Sequence, residues 1–273
     1  MKFFAARRVI ALSFCIAVSI ATLYLLELSE LAFHDKQWLS GWLMVVMVCP
    51  LMAYNLRKKL SFLPLVSSAV WFQWHVYAGL FVLIIFVSHI SGKMAEGFFA
   101  SILTVAFLTI CLTGFIGVWL SRVLSKRLSR YGEQLIFERI PGFAQQLKSR
   151  AETVILESVD STLSPTLAEI YSSILFKHFS LPPASFFYLF RSERYMFDLK
   201  NELDAQKRFM NETERKYADQ IWDLVIQRHQ LNGQYAIQSL LKGWLFIHIP
   251  LAYSVVLMII VHVTLVYAFG VTS

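Results

Sequence analysis

Two histidines, His75 and His89, lie fourteen positions apart in the apolar stretch WFQWHVYAGLFVLIIFVSHI (residues 71–90). A second apolar stretch, IHIPLAYSVVLMIIVHVTL (residues 247–265), carries His248 and His262 at the same spacing. An α-helix turns by about 100° per residue, so fourteen residues return to within about 40° of the starting direction. Each pair therefore shares one helix face, and a rise of about 1.5 Å per residue separates its members by about 21 Å.

The composition places these stretches in a membrane. The 273 residues are 57% hydrophobic and 16% charged, whereas soluble domains contain roughly 25% charged residues. The mean hydropathy of +0.56 points the same way. The formal net charge of +7 does not indicate nucleic-acid binding, because most of the basic residues bracket apolar runs. We therefore expect membrane lipid, and no nucleic acid, as a partner.

Five apolar segments predict an all-α membrane protein with five transmembrane helices, since each approaches the ~20 residues that cross a bilayer. The segments are Val9–Leu26, Trp38–Leu56, Ala69–Ser91, Phe98–Leu120 and Gly243–Phe269. The chain then divides into residues 1–121, with helices one to four, a helical insert of residues 122–242, and residues 243–273, with helix five and a short outer tail. The insert has 17 basic and 14 acidic residues and no strand-like alternation.

The placement of lysine and arginine predicts the orientation, because cytoplasmic loops are enriched in both. Basic residues gather on one side of the predicted helices: Lys2, Arg7, Arg8, Arg57, Lys58, Lys59, Arg122, Lys126, Arg127, Arg130 and Lys242. The other side has only Lys36 and Lys93, among four acidic residues. We therefore expect a bacterial inner-membrane protein with a retained first helix, a cytoplasmic N-terminus and insert, and a periplasmic C-terminus.

Three helix starts are visible within the insert. Pro141 suits a first helical turn, and Ser164 followed by proline predicts a second helix. Asn211 with Glu214 forms a capping-box pattern before a charged helix that ends near Gln230. The insert contains no dinucleotide-binding glycine pattern, so we expect a docking or assembly domain.

The two histidine-bearing helices cross the membrane in the same direction. Equal spacing then brings His75 to the depth of His248 near the cytoplasmic side, and His89 to the depth of His262 near the outer side. Two imidazoles that face a metal from opposite sides form the axial ligands of a haem, whose porphyrin supplies the other four nitrogens. The chain has no Cys-x-x-Cys-His motif, so we predict two non-covalent b-type haems.

The four histidines could also serve purposes other than haem binding. Ionisable side chains inside a bilayer are costly, so each histidine is a functional candidate. Hydrogen bonding across the bundle, or a proton path, suits one lone histidine better than two equal pairs. A metal bound directly by two histidines needs further ligands, which the apolar surroundings do not offer. The three cysteines lie in apolar runs without a Cys-x-x-Cys pattern, so no iron–sulfur or zinc site is expected.

Basic residues near the helix ends are candidates to pair with haem propionates, namely Arg122 and Lys242 on the inner side and Lys93 on the outer side. Each of them also fits a role in topology alone. The remaining three histidines fall outside the membrane segments, and we expect ordinary surface or partly buried residues there: His34, His178 and His229.

The local sequences WFQWHVYAGL (71–80), LTGFIGVWLSR (112–122) and WLFIHIPLAY (244–253) resemble those of small bacterial cytochrome b/b6-domain membrane proteins. The histidine pattern is also similar to that of respiratory cytochrome b and of the ferric reductase and NADPH oxidase transmembrane domain. The resemblance implies four axial histidine ligands, two haem b groups and electron transport. Ferric reductases carry a C-terminal FAD and NADPH module, for which this chain has no G-x-G-x-x-G pattern.

Three functions follow from these patterns. The first is an electron-transfer subunit of an oxidoreductase complex, without catalytic residues of its own, between a quinone or protein donor and a protein acceptor. It requires redox partners on one or both faces of the membrane. The second is a self-contained reductase of oxygen, ferric ion or another small acceptor. The third is a non-redox scaffold or transporter, although the predicted helices show neither a mid-membrane charge nor a broken-helix repeat.

Overall fold

The computed structural model describes residues 2–32, 34–59, 67–92, 97–133, 135–180 and 192–269 of the chain. Within these residues the secondary structure is helical and contains no strand. Five helices are long and apolar enough to cross a membrane: α1 (Lys2–Leu31), α2 (Lys36–Lys59), α3 (Ser68–His89), α4 (Phe98–Leu128) and α9 (Glu212–Phe269). The predicted all-α membrane fold is confirmed. The outer tail predicted at residues 270–273 lies outside the described residues.

The transmembrane helices extend beyond the apolar runs that predict them. α1 begins at Lys2 rather than Val9, and α4 ends at Leu128 rather than Leu120. Hydropathy identifies only the part of a helix that suits hydrocarbon. The helical backbone hydrogen bonds continue beyond it into polar residues. α2 continues through Pro50, although a proline inside a helix removes one backbone hydrogen bond.

Residues Met1–Val118 and Phe246–Ser273 form one compact unit, in which α3 packs closely on α1 and α2. The middle of α3 is buried among side chains from α1, α4 and α9. This core cluster contains Cys15, Leu26, Phe81, Val82, Ile85, Phe86, Leu103, Phe107 and Val255. The rings of Phe86 and Phe107 stack with their centroids 4.2 Å apart. The packing fixes which face of α3 points into the unit.

Large apolar side chains remain exposed on the outward faces of the same helices. Examples are Phe14 on α1, Leu112 on α4 and Phe246 on α9, with exposed fractions of 69%, 59% and 81%. Apolar surface on this scale is unfavourable in water and favourable in lipid. These faces therefore contact lipid, as expected of a multi-pass membrane protein.

Residues Trp119–Leu245 form a second compact unit. Its own helices are α5 (Ile140–Thr162), α6 (Thr166–Ile170), α7 (Phe176–Ser180) and α8 (Ser192–Gln206), with a π-helical turn, Tyr171–Leu175, between α6 and α7. Buried apolar side chains form its main core, among them Ala151, Leu167, Leu175, Leu203, Ala218, Ile221 and Val225. The insert thus has a hydrophobic core of its own, while its cytoplasmic location stays a prediction.

Two of the three helix starts predicted in the insert have the expected geometry, whereas α6 begins one residue later than predicted, with Pro165 as its N-cap residue and not in its first turn. α5 carries Pro141 in its first turn. At the start of α9, the Glu214 N–H donates to the Asn211 side-chain oxygen at 2.8 Å, and the Asn211 N–H donates to the Glu214 carboxylate at 2.9 Å. This reciprocal pair is a capping box. α6 begins at Thr166, whose N–H donates to the Ser164 hydroxyl at 3.4 Å.

One predicted helix boundary is wrong. The charged helix that begins at the capping box does not end near Gln230, and the fifth transmembrane segment does not start separately at Gly243. Both belong to α9, which is continuous over 58 residues. The segment between them, which the sequence pattern left as a connection, is therefore helical.

Contacts distant in sequence hold this connecting segment in place. The Gln234 side chain donates to the backbone carbonyls of Tyr131 and Glu133 at 3.2 and 2.9 Å and accepts from the Leu135 N–H at 3.0 Å. Glycine disfavours a helix by about 1 kcal/mol relative to alanine. At Gly233, however, a Cβ would lie 2.4 Å from the Tyr131 ring, so the missing side chain admits an aromatic contact.

A buried polar cluster in the insert includes two histidines. His178 is 2% exposed, with Nε2 at 3.3 Å from the Val225 carbonyl and Nδ1 at 3.2 Å from the Tyr195 hydroxyl. The expectation of a surface or partly buried residue is therefore wrong for His178, because protein hydrogen bonds replace those to water. The His229 ring stacks on it with centroids 6.5 Å apart. Burial lowers the pKa of His178 and that of His229 to about 4.

These two low pKa values predict that the insert loses stability in mild acid. Both histidines stay neutral in the folded unit down to about pH 4, whereas their unfolded pKa is 6.5, so the unfolded chain binds more protons as the pH falls between these values. Lowering the pH from 7 to 5 should reduce the free energy of unfolding by up to about 2 kcal/mol per histidine. Hydrogen exchange of the α7 amides in the full chain measures this loss.

A His178→Gln/His229→Gln double variant provides the control for the pH experiment. Because glutamine does not titrate, the variant should show a flatter pH dependence of the opening free energy, calculated from exchange rates corrected for the intrinsic pH dependence of amide exchange. An equally steep dependence in the variant would assign the acid sensitivity to other groups.

Candidate functional site

The inward face of α3 carries both of its histidines. Ala78, Val82 and Ile85 lie between them at helical spacings of three and four and are 6%, 2% and 0% exposed. His75 and His89 are half-buried at the two ends of this stripe. The stripe therefore presents two polar sites that are separated by an apolar middle.

α9 repeats this arrangement. His248 and His262 flank Val255, which is 5% exposed and lies midway between them, as Val82 lies midway between the histidines of α3. Both valines belong to the core cluster of this unit. The two helices thus share the pattern His-x6-Val-x6-His, with buried apolar packing halfway between the polar sites.

The histidines lie near one another in two pairs. His248 is close enough to His75 for an electrostatic interaction, and the same holds for His89 and His262. Within the described residues, the backbone of α3 packs closely on α1 and α2 but not on α9.

Ser40 on α2 orients the His89 ring. The Ser40 hydroxyl donates to the Gln37 carbonyl at 3.1 Å, and its oxygen lies 2.9 Å from Nδ1 of His89. When the hydroxyl donates to Nδ1, the ring proton lies on Nε2; when it donates to the Gln37 carbonyl, Ser40 accepts from an Nδ1–H. The lone pair of the His89 imidazole then lies on Nε2, the nitrogen through which such a ring binds a metal.

Thr113 on α4 does the same for His248. Its hydroxyl donates to the Ile110 carbonyl at 2.9 Å, and its oxygen lies 2.9 Å from Nδ1 of His248. With its proton on the Ile110 carbonyl, Thr113 likewise accepts from an Nδ1–H, which places the His248 lone pair on Nε2. One histidine of each pair therefore has its proton held by a hydroxyl on a neighbouring helix.

A glycine follows each of these hydroxyl residues and lies against the same imidazole. A Cβ on Gly41 would lie 3.3 Å from Cε1 of His89, closer than an ordinary van der Waals contact. A Cβ on Gly114 would lie 3.8 Å from Cε1 of His248, which is an ordinary contact. We call each hydroxyl residue with its following glycine a hydroxyl–glycine cradle; only the cradle at His89 needs its glycine for space.

The surroundings of His75 are different. Its Nδ1 is buried and makes no hydrogen bond to the described residues, although the Leu51 carbonyl lies nearby. The Tyr54 ring packs against the imidazole with centroids 5.1 Å apart. Nε1 of Trp71, about one helical turn before His75, is also buried and has no hydrogen-bond partner within the described ranges. Unpaired buried polar atoms are costly, so a further polar group would be favourable here.

Each of the two histidine pairs could hold a haem. Within the described part of the chain, no group of three or more histidine, cysteine, aspartate or glutamate side chains is placed to hold a metal ion. Each histidine pair offers two nitrogen ligands, which suffices when a macrocycle supplies the rest. The Nε2 lone pairs of His89 and His248, and the unpaired polar atoms around His75, agree with such a group.

The three basic residues predicted to pair with haem propionates lie in different surroundings. Lys93 lies outside the described residues. Arg122 lies on α4 with an exposed side chain. Lys242 donates to the Glu138 carboxylate, and its Nζ lies 4.1 Å from the centroid of the Phe137 ring. The charge of Lys242 is thus paired within the insert, whereas propionate binding by Arg122 and Lys93 stays a prediction.

Sequence patterns missed Ser40, Gly41 and Thr113. Serine, threonine and glycine are common where transmembrane helices pack, so none of these residues stands out in the sequence alone. The available signal was a hydroxyl residue followed by glycine at the depth of an intramembrane histidine. To recognise this signal, one must know which helices are adjacent and at which depth each residue lies. The sequence alone does not give this information.

No protein-family model, curated protein or solved structure matches this chain. The resemblance to cytochrome b/b6-domain membrane proteins therefore stays a prediction from the sequence. The proposal below therefore depends on the geometry of the histidine pairs on α3 and α9.

The two glycines provide a matched test of this geometry. Gly41→Ala should displace the His89 ring by a few tenths of an ångström, because the new Cβ would lie 3.3 Å from Cε1. The measurement is the 13Cε1 and 15N shifts of the His89 ring in the full chain in lipid. Gly114→Ala, with a Cβ at 3.8 Å, should leave the His248 signals unchanged. Equal effects of both substitutions would contradict the asymmetry of the two cradles.

Proposed function

We propose that this chain carries electrons across the membrane through two bis-histidine b-type haems, one held by His75 and His248 and the other by His89 and His262. The observation that carries the proposal is the placement of both histidine pairs on the inward faces of α3 and α9. Four ionisable side chains in a bilayer core are costly unless they bind something. Pairing at two depths suits two axially ligated haems along one path across the membrane.

The chain's own residues would hold and orient these groups. At His89 and His248, a hydroxyl on a neighbouring helix accepts the Nδ1–H and presents the Nε2 lone pair. A haem bound there supplies a one-electron couple between ferric and ferrous iron. The residues supply ligation, ring orientation and an apolar environment, and none of them acts as a catalytic acid or base.

Buried apolar residues between the two histidines of α3, and between those of α9, separate the two proposed sites. Val82 and Val255, at the midpoints of the histidine spacings, and Ile85 are buried in one core cluster. Buried apolar packing excludes water and ions from the space between two redox groups. The arrangement supports two discrete sites rather than a continuous aqueous or proton-conducting path.

The location and partners of the chain follow from its charge distribution. We place it in a bacterial inner membrane, with the N-terminus and insert cytoplasmic and the C-terminus periplasmic, because basic residues gather at the insert side. On the opposite side, Lys36 pairs with Glu27 and with Glu30. The insert would dock a redox protein, and a quinone or a second protein would exchange electrons with one of the two haems.

The test of the proposed function is a reduced-minus-oxidised spectrum of the purified full chain with haem quantitation. The wild type should contain two b haems per chain. His75→Ala or His248→Ala should remove the inner haem, and His89→Ala or His262→Ala the outer one, because a single imidazole no longer completes the axial pair.

His34→Ala is the matched control, since this histidine is exposed and lies outside the pairs. It should retain both haems. A wild-type chain that binds no haem when expressed with haem available would exclude the proposed function.

A further inference from the structure

The two hydroxyl–glycine cradles are built alike on different helices. In each, the hydroxyl donates to the carbonyl three residues earlier in its own helix, Gln37 for Ser40 and Ile110 for Thr113. A carbonyl of a rigid helix backbone is therefore within reach of each hydroxyl proton. A chain of two hydrogen bonds then runs from the imidazole through the hydroxyl to the carbonyl, and such chains strengthen each member.

We infer that Ser40 and Thr113 are positioning residues that hold His89 and His248 in the Nδ1–H tautomer and strengthen Nε2 as an electron donor. Histidines that bind metals donate their other ring N–H to an acceptor, which fixes the ring and raises its basicity. The tautomer is inferred from the hydrogen-bond partners of the two hydroxyls and not from a bound haem. The consequence for redox potential rests on the proposed function.

The cradles divide evenly between the two proposed sites. The outer pair has one at His89, and the inner pair has one at His248. The inner partner, His75, has its Nδ1 buried without a hydrogen bond to the described residues. One substitution therefore alters one ligand of one site, which allows each site to be tested by itself.

The first arm of the test needs no haem. In the full chain labelled with 15N-histidine and reconstituted in lipid, His89 and His248 should carry their proton on Nδ1. Ser40→Ala should shift His89 alone towards the Nε2–H form, and Thr113→Val should do so for His248 alone. Ser40→Thr and Thr113→Ser retain the hydroxyl and should keep the wild-type tautomers.

Thr109→Val is a matched control on the same helix as Thr113. Thr109 is exposed, and its hydroxyl donates to the Val105 carbonyl at 2.7 Å. Its loss removes a similar side-chain hydroxyl about one turn away and should change neither histidine. Wild-type spectra with the proton of His89 and His248 on Nε2, or tautomers that do not respond to the two substitutions, would overturn the inference.

The second arm applies to chains that carry haem. Removal of the hydroxyl weakens the imidazole as a donor and stabilises ferric iron less, so the midpoint potential should rise. Ser40→Ala should raise the outer potential and Thr113→Val the inner one, each reversed by the hydroxyl-retaining variant. A merely structural role would not produce one-site shifts that a conservative variant restores, and unchanged potentials in both variants would contradict the inference.

The two arms separate failure of this inference from failure of the proposed function. A chain without haem whose histidines nevertheless show the Nδ1–H tautomer would exclude the electron-transfer proposal and support the positioning role. A chain that binds two haems, but whose midpoint potentials do not change when either hydroxyl is removed, would support electron transfer and overturn the positioning role.

Discussion

A histidine ring inside hydrocarbon needs partners for both of its nitrogens, because an unpaired polar group there costs several kcal/mol. At His89 and His248 the fold meets half of this requirement with a serine and a threonine from neighbouring helices. Where the hydroxyl accepts from Nδ1, the same hydrogen bond leaves the lone pair on Nε2. Nε2 still needs a partner. A metal bound by both histidines of a pair would provide it.

The rest of the unit can be understood from this constraint. The histidines lie on stripes that also carry the most buried apolar residues of α3, so they cannot turn towards lipid or water without disrupting the core. Outward faces of the same helices carry exposed apolar side chains that suit lipid. The insert has a hydrophobic core of its own.

The features that recur with a fixed period could be predicted from the sequence. The apolar runs and the histidine spacing depend on helix geometry alone, and the capping box at Asn211 depends on residues three apart. The features that sequence patterns missed depend on segments far apart in the chain. Ser40 reaches His89 across 49 positions and Thr113 reaches His248 across 135. The continuity of α9 and the burial of His178 likewise depend on distant contacts.

The pairing of the histidines is the central claim, and double variants address it most directly. If His75 pairs with His248, the double variant His75→Ala/His248→Ala disables one site and should retain one b haem per chain. The double variant His75→Ala/His89→Ala removes one ligand from each site and should retain none. One haem in the first variant and none in the second, by quantitation in the purified full chain, is the predicted result. Equal haem content in the two variants would contradict the pairing.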